Sequence, residues 1–112
     1  PVIAVPKGIM VMNAGIEVVT ASDGSTFTVD VGMIDADVFV DGFDATSAAG
    51  VLSQNPAAYQ PVMAVAADNI DVTIATLSGG AVTTGLFRVW AVLMDCTDEG
   101  DLTAQEVARD VA

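Results

Sequence analysis

The residues best placed for chemistry are carboxylates, because the chain of 112 residues contains 15 acidic residues and no histidine. Without histidine the chain lacks the usual general base and the commonest metal ligand. Cys96 is its only cysteine, so neither an internal disulfide nor a thiolate cluster around zinc can form. We expect Cys96 to be a partly buried free thiol in a reducing compartment, with an intermolecular or reactive role as the alternative.

One acidic segment, Asp95 to Glu106, has the spacing of the twelve-residue calcium loop. Gly100 stands at position 6 of that loop and Leu102 at its apolar position 8. Positions 3 and 5 carry Thr and Glu where Asp or Asn is usual, and the preceding segment has the pattern of a strand. We therefore favour a solvated acidic turn and keep calcium as the alternative. The oxygen-bearing residues of the loop are Asp95, Thr97, Glu99, Asp101, Thr103 and Glu106.

Four aspartates, Asp35, Asp37, Asp41 and Asp44, surround the apolar triplet Val38 to Val40. Paired carboxylates can act as acid and base when an apolar pocket raises the pKa of one of them. The spacing alone does not create such a pocket, so we interpret the four as solubilising loop residues. The sequence has no phosphate loop, dinucleotide fingerprint or nucleophile elbow, and we expect no enzymatic activity, no cofactor and no metal centre.

The charge balance restricts the kinds of partner. Only three residues are basic, Lys7, Arg88 and Arg109, and the formal net charge is −12. Nucleic acids and anionic membranes both require clustered cations, so we expect neither as a partner and favour a basic or apolar protein surface. The apolar fraction of 53% argues against a disordered chain, and the apolar runs are far shorter than the roughly 18 residues of a membrane helix.

Strands are the elements that must position these side chains, because apolar and polar residues alternate from Thr26 to Val31 and from Asn69 to Thr76. The segment Leu86 to Asp95 is nearly continuously apolar, which is typical of a central strand covered on both faces. The inward-facing residues of the two alternating strands are Phe27, Val29, Val31, Ile70, Val72 and Ile74. Further predicted strands are Val2 to Val5, Ile9 to Asn13, Ile16 to Thr20, Val38 to Val40 and Val62 to Ala66.

Turn-forming residues separate these eight predicted strands, and Asp23-Gly24 predicts a hairpin between two of them. Short strands with dense turns predict a single all-β domain over residues 1–112, an antiparallel β-sandwich or small barrel that is jelly-roll-like or immunoglobulin-like. Thr103 and Glu106 have capping-box spacing, which predicts a short C-terminal helix within residues 103–112. Other predicted turns are Asn13-Ala14-Gly15, Asp41-Gly42, Gln54-Asn55-Pro56 and Ser78-Gly79-Gly80.

Two side chains of the apolar strand have predicted roles. Trp90 is expected to anchor the core. Arg88 lies on the same face of the sheet, and its burial would be costly unless an acidic neighbour or another subunit neutralised it. The partner of Arg88 is left open by the sequence.

The stretch from Ala67 to Asp95 resembles the C-terminal half of small virion proteins of tailed bacteriophages. The resemblance is carried by Ala67-Asp68-Asn69-Ile70-Asp71-Val72-Thr73-Ile74-Ala75, a glycine-rich turn, and Gly85-Leu86-Phe87-Arg88-Val89-Trp90-Ala91-Val92-Leu93-Met94-Asp95. The Asp- and Gly-rich middle, Asp35 to Ala45, is also similar. The resemblance implies a capsid decoration or cement protein on the exterior of the virion, bound to the major capsid protein and commonly trimeric.

The apolar segment Pro1 to Pro6 can either add a strand to the edge of a partner's sheet or complete the chain's own sheet. The mean hydropathy of +0.60 predicts that some apolar surface meets another subunit, and the resemblance implies that the oligomer is a homotrimer. The start at Pro1, without a basic and apolar leader, leads us to expect synthesis in the host cytoplasm. Two alternative functions are a head-to-tail connector or tail component, and a carbohydrate-binding or adhesive β-sandwich that uses Tyr59 to stack on a sugar.

We expect the segment Asp95 to Glu106 not to bind calcium, because two of its ligand positions carry the wrong residue types. Isothermal titration of the full chain with millimolar Ca²⁺ should give only heats of dilution. A saturable binding heat would instead support the calcium loop.

Overall fold

The computed structural model of the chain describes residues 1–53, 55–56 and 59–97, and these residues form strands and loops without a helix. Accordingly, none of them belongs to a helix long and apolar enough to span a membrane. The helix predicted within residues 103–112 lies outside the described residues, as does most of the candidate calcium loop. The strands are β1 (Ile3–Val5), β2 (Ile9–Thr20), β3 (Thr26–Gly32), β4 (Val40–Asp44), β5 (Val62–Met63), β6 (Asp68–Ser78) and β7 (Leu86–Asp95).

These strands form two antiparallel sheets that pack against each other, which confirms the predicted all-β, sandwich-like fold. One sheet has the order β1-β6-β3-β4 and the other the order β5-β2-β7. A segment at residues 51–53 also runs beside β2, where the Ser53 amide donates to the Ile16 carbonyl and the Val18 amide donates to the Val51 carbonyl. The strands β2 and β3 therefore lie in the middle of their sheets, where neighbours flank them on both sides.

The core lies between the two sheets and follows from the alternation of residues along each strand. On β3, Phe27, Val29 and Val31 are buried as predicted, because successive side chains of a strand point to opposite faces. On β2, Ile16 and Val18 are buried against them. Phe39, Val40 and Ala45 complete the core beside β4.

The turn predicted at Asn13-Ala14-Gly15 is wrong, because β2 is one continuous strand of 12 residues. Gly15 has extended backbone and lies directly beneath Trp90. A Cβ atom on Gly15 would come within 2.7 Å of the indole ring. Glycine at this position therefore makes room for a side chain of β7, and no chain reversal occurs there.

The predicted hairpin at Asp23-Gly24 is also wrong, because β2 and β3 belong to different sheets. Residues 21–25 carry the chain across the sandwich. Asp41-Gly42 is not a turn between strands but part of β4, where the Gly42 amide donates to the Asp30 carboxylate at 2.8 Å. By contrast, the turn at Ser78-Gly79-Gly80 is confirmed, since β6 ends at Ser78 and both glycines have positive φ.

Asn55 joins the loop after β4 to both sheets. Its side-chain amide donates to the carbonyl of Ala14 on β2 at 3.1 Å and to the carbonyl of Phe39, just before β4, at 2.8 Å. The Asn55 side chain thereby links Ala14, in an extended strand, to Phe39, in a loop.

Replacing Asn55 with Ala should lower the free energy of unfolding by about 1–3 kcal/mol, because two partly buried carbonyls lose a donor. Urea denaturation measures the change. Asn69→Ala is the matched control, since Asn69 is exposed and should change stability by no more than about 0.5 kcal/mol. Equal effects of the two substitutions would contradict the role assigned to Asn55.

Candidate functional site

One side of the sandwich is left open along two neighbouring strand edges. On β6, the short β1 pairs only with residues 68–70, so residues 71–78 have an unpaired outer edge within the described structure. On β7, one edge pairs with β2, and no described strand pairs with the other edge. We call these two edges, residues 71–78 of β6 and 86–95 of β7, the β6–β7 seam.

Both edges lie on the same side of the molecule. β4 leads directly into the segment at residues 51–53, which pairs with β2 on the edge away from β7. β4 and that segment thus form the opposite side of the sandwich. On the side of the sandwich where the seam lies, Phe27 of β3 packs against Phe87 of β7. The two rings meet edge to face with centroids 6.2 Å apart.

Three apolar side chains of the seam point toward the interior and yet are exposed. Ile74 pairs with Val29, Leu77 with Phe27, and Leu93 with Val11. Directly opposite residues of a sheet share a face, and these three partners are buried in the core. Nevertheless Ile74, Leu77 and Leu93 are 57%, 48% and 43% exposed. The interior of the sandwich therefore reaches the surface along this seam.

The seam also carries apolar residues beyond those three, and its exposure overturns two predictions. Leu86, Val92 and Met94 on β7 are each about half exposed, so Leu86 to Asp95 is an edge strand and not a central strand covered on both faces. A continuous apolar run is expected for a buried strand, but an edge strand that another chain covers has the same pattern. Trp90 is likewise not a core anchor, because it lies over Gly15 on the outer face and is only half-buried.

The indole of Trp90 nevertheless has a buried polar atom. Its Nε1 atom and the Oδ1 atom of Asn13 are both shielded from solvent, and neither has a hydrogen-bond partner among the described residues. Asn13 pairs with Val92, two residues along β7 from the pair of Gly15 and Trp90, so the side chains of Asn13 and Trp90 belong to the same patch of the outer face.

Two charges on the seam are compensated within the chain. The Arg88 guanidinium lies 2.8 Å from the Glu17 carboxylate on β2. Of the two kinds of partner that the sequence left open, an acidic neighbour and another subunit, the structure shows the acidic neighbour. On β6, the amino terminus of Pro1 lies 3.1 Å from the Asp71 carboxylate. Pro1 to Pro6 therefore completes the chain's own sheet, since the Val2 amide also donates to the Ile70 carbonyl at 2.8 Å.

A carboxylate missed by the sequence analysis holds one end of the seam together. Asp23 accepts hydrogen bonds from the backbone amides of Thr83 at 2.9 Å and Thr84 at 3.2 Å, and the Thr83 hydroxyl donates to it as well. These bonds keep the pKa of Asp23 below its usual value. The β6–β7 connection is thereby fastened onto the crossing between β2 and β3. The partners are about 60 residues apart in sequence, so no local motif could reveal them.

The four candidate aspartates do not form one site. Asp37 and Asp41 line an open cavity of about 550 Å³ together with Tyr59 and neighbouring loop residues. Asp44 instead accepts hydrogen bonds from the amide and hydroxyl of Thr46, which lower its pKa, and Asp35 is exposed. No group of three or more potential metal ligands occurs within the described ranges.

Tyr59 has little of its ring available to a ligand. Its hydroxyl donates to the Val11 carbonyl at 2.9 Å, and its ring packs 5.8 Å from that of Phe39. Partial burial raises the pKa of Tyr59. The side chain thus fastens a loop to β2, which weakens the interpretation of Tyr59 as a platform for sugars.

Two of the oxygen-bearing residues of the candidate calcium loop are described, and they bond to each other. The Asp95 carboxylate accepts hydrogen bonds from the Thr97 amide at 2.9 Å and from its hydroxyl at 2.7 Å, which lower the pKa of Asp95. Cys96, between them, is exposed. The prediction of a partly buried thiol is wrong, because Cys96 follows the open edge strand β7.

Comparison of the chain with protein-family models, with curated proteins and with solved structures found no match. The grounds for a function are the geometry of the seam, the distribution of charge and the resemblance of residues 67–95 to phage virion proteins.

Asp23→Asn should reduce stability at pH 7 and lose that effect in acid. Because the folded pKa of Asp23 is depressed, its carboxylate contributes stability above its unfolded pKa of about 3.9, and this contribution disappears as pH falls through the lower folded value. Urea midpoints at neutral pH and below about pH 3 measure the difference between wild type and variant.

The matched control for this experiment is Asp35→Asn, which removes the same charge from an exposed loop residue. It should leave the neutral-pH midpoint unchanged or slightly raise it, since the chain is strongly acidic. If Asp23→Asn behaved like Asp35→Asn at both pH values, Asp23 would not fasten the connection.

Proposed function

We propose that this chain is a structural protein of a phage particle, a capsid decoration or cement protein that binds the lattice of major capsid protein and stabilises the head. The observation that carries the proposal is the β6–β7 seam. A chain of net charge −12 exposes side chains that face its own core. Such a surface is typical of a subunit that works within a larger assembly.

The resemblance and the seam coincide in the chain. Residues 67–95, which resemble the phage virion proteins, comprise β6, the glycine-rich connection and β7. These are the two strands whose outer edges are open. The part of the sequence that indicates a virion protein is therefore also the part that presents a binding surface, which supports an assembly role over an unrelated one.

The charge distribution supports the same function. Decoration proteins are present at high local density, where a strong net charge keeps copies apart and soluble. The aspartates beside β4, Asp35, Asp37, Asp41 and Asp44, favour a basic surface as the contact on the capsid. Binding of this kind requires no reaction, only apolar, backbone and ionic contacts. The resemblance implies a trimer as the bound form.

A head-to-tail connector or tail component would use the same properties, because such proteins also join identical subunits through strand edges and apolar surface. The position of the chain in the particle distinguishes these two roles. No comparable observation favours a carbohydrate-binding module, since Tyr59 is held against Phe39 and Val11.

Heads purified without this chain should bind it when it is added back, and they should then open at a higher temperature. Cryo-electron microscopy should show new density at regular positions on the outer surface of the lattice. Co-sedimentation should weaken as salt rises, because exposed acidic residues contribute through screened interactions.

A matched pair of variants tests the ionic part of this binding. Asp41→Lys, on β4, should reduce co-sedimentation, because it reverses a charge in the proposed contact. Asp68→Lys makes the same change of charge on β6, which β3 separates from β4, and it should have a smaller effect. Density confined to the neck or tail would favour the alternative role, and failure to bind any part of the particle would exclude both.

A further inference from the structure

We propose that the β6–β7 seam is the surface through which copies of this chain associate. In this arrangement the open edge of β7 in one copy pairs with the open edge of β6 in the next, and Ile74, Leu77 and Leu93 become interior residues of the assembly. The inference goes beyond the proposed function and does not depend on it, because it concerns only contacts between identical chains.

The strand directions permit this pairing. β6 is antiparallel to β3, and β7 is antiparallel to β2. Since β2 and β3 are joined by a short crossing and run in opposite directions, β6 and β7 also run in opposite directions. A second copy rotated about an axis along the strands keeps the direction of its β6, which then meets β7 as an antiparallel neighbour.

Pairing β7 of one copy with β6 of the next copy uses both open edges. If the rotation between copies closes them into a ring, neither edge stays exposed. A twofold axis perpendicular to the strands would instead pair β7 with β7 and β6 with β6 of a second copy, and it would cover both edges as well. The exposure of core-facing residues on both strands therefore favours an arrangement that uses both edges at once. An oligomer larger than a dimer would select the pairing of β7 with β6, because the perpendicular axis produces only a dimer.

Charge permits a second copy of the chain as the occupant. Copies with a net charge of −12 repel each other, so they can approach closely only where few carboxylates are uncompensated. On the seam, Arg88 is paired with Glu17. The two carboxylates of the seam are Asp71, which lies 3.1 Å from the Pro1 nitrogen, and Asp95 at the end of β7. The opposite edge strand, β4, carries Asp41 and Asp44, which would oppose the acidic residues of another copy.

The composition and exposure of the edges fit an interface. Exposed strand edges are usually protected by charged side chains, above all lysine, or by proline. Residues 71–78 and 86–95 contain no lysine and no proline, and three of their 18 residues are charged. Six large apolar residues of the seam are between 43% and 57% exposed, namely Ile74, Leu77, Leu86, Val92, Leu93 and Met94. Contiguous exposed apolar surface of this kind marks an interaction site.

The test measures the mass of the full chain by light scattering over a range of micromolar concentrations. Wild type should form a closed oligomer of defined mass. Ile74→Lys should weaken self-association by at least about tenfold, because it places a charge in the seam. Ile34→Lys is the matched control, since Ile34 is 71% exposed in the loop after β3, and it should associate like wild type.

Hydrogen exchange shows whether the backbone edges pair. Amides within residues 71–78 and 86–95 should exchange slowly in the oligomer and faster in Ile74→Lys. If that variant does not fold, as judged by circular dichroism, Ile74→Thr keeps a strand-forming residue and should show a smaller loss of the same kind.

Three results would overturn the inference. They are a monomeric wild type, an oligomer that both lysine variants leave intact or disrupt equally, and slow exchange of the seam amides in a monomer, which would mean that other residues of the same chain cover them. A seam-dependent oligomer that binds no phage head would retain this inference and exclude the proposed function. Binding of a monomer to phage heads would support the proposed function and overturn this inference.

Discussion

The structure depends on a difference between the two ends of β6, because only one end pairs with another strand on its outer edge. β6 is eleven residues long, while β1 pairs with only three of them. Where β1 is present, Ile70 is fully buried, and further along the same face Ile74 is largely exposed. Apolar residues on one face of a sheet are buried only where other strands of the protein surround them. The end of β1 therefore coincides with the place where the interior of the sandwich ends and the exposed part of the seam begins.

The remaining interactions keep that surface in place. Asp23 fastens the connection between β6 and β7 to the crossing between β2 and β3, and Asn55 and Tyr59 fasten the loops around β2. Glu17 neutralises Arg88 on β7. Each of these polar groups satisfies a backbone group or a charge at the border of the core. The edges of the seam are consequently held in a fixed geometry, which lowers the entropy that association must overcome.

An acidic surface around β4 and a largely apolar seam have complementary effects. The aspartates around β4 oppose the approach of other copies, while the seam has few charges. Under the proposed function, this division separates two kinds of contact, with apolar and backbone contacts at the seam and ionic contacts on the acidic side.

The sequence by itself determined what alternation and turn chemistry encode. It predicted the all-β fold, the strands at Thr26 to Val31 and Leu86 to Asp95, and the inward faces of Phe27, Val29 and Val31. It also predicted that Arg88 needs a neutralising partner, without deciding between an acidic neighbour and another subunit. These properties depend on neighbours in the chain, because the direction of a strand side chain is set by the residues on either side.

Tertiary structure alone decided which strands pair and which edges stay open. The apolar run of β7 fits a central strand and an edge strand equally, and Asp23-Gly24 fits a hairpin and a crossing between sheets equally. Glu17 and Asp23 find their partners about 60 to 70 residues away. Strand order depends on contacts between distant segments, so the position of the seam could be read only from the folded chain.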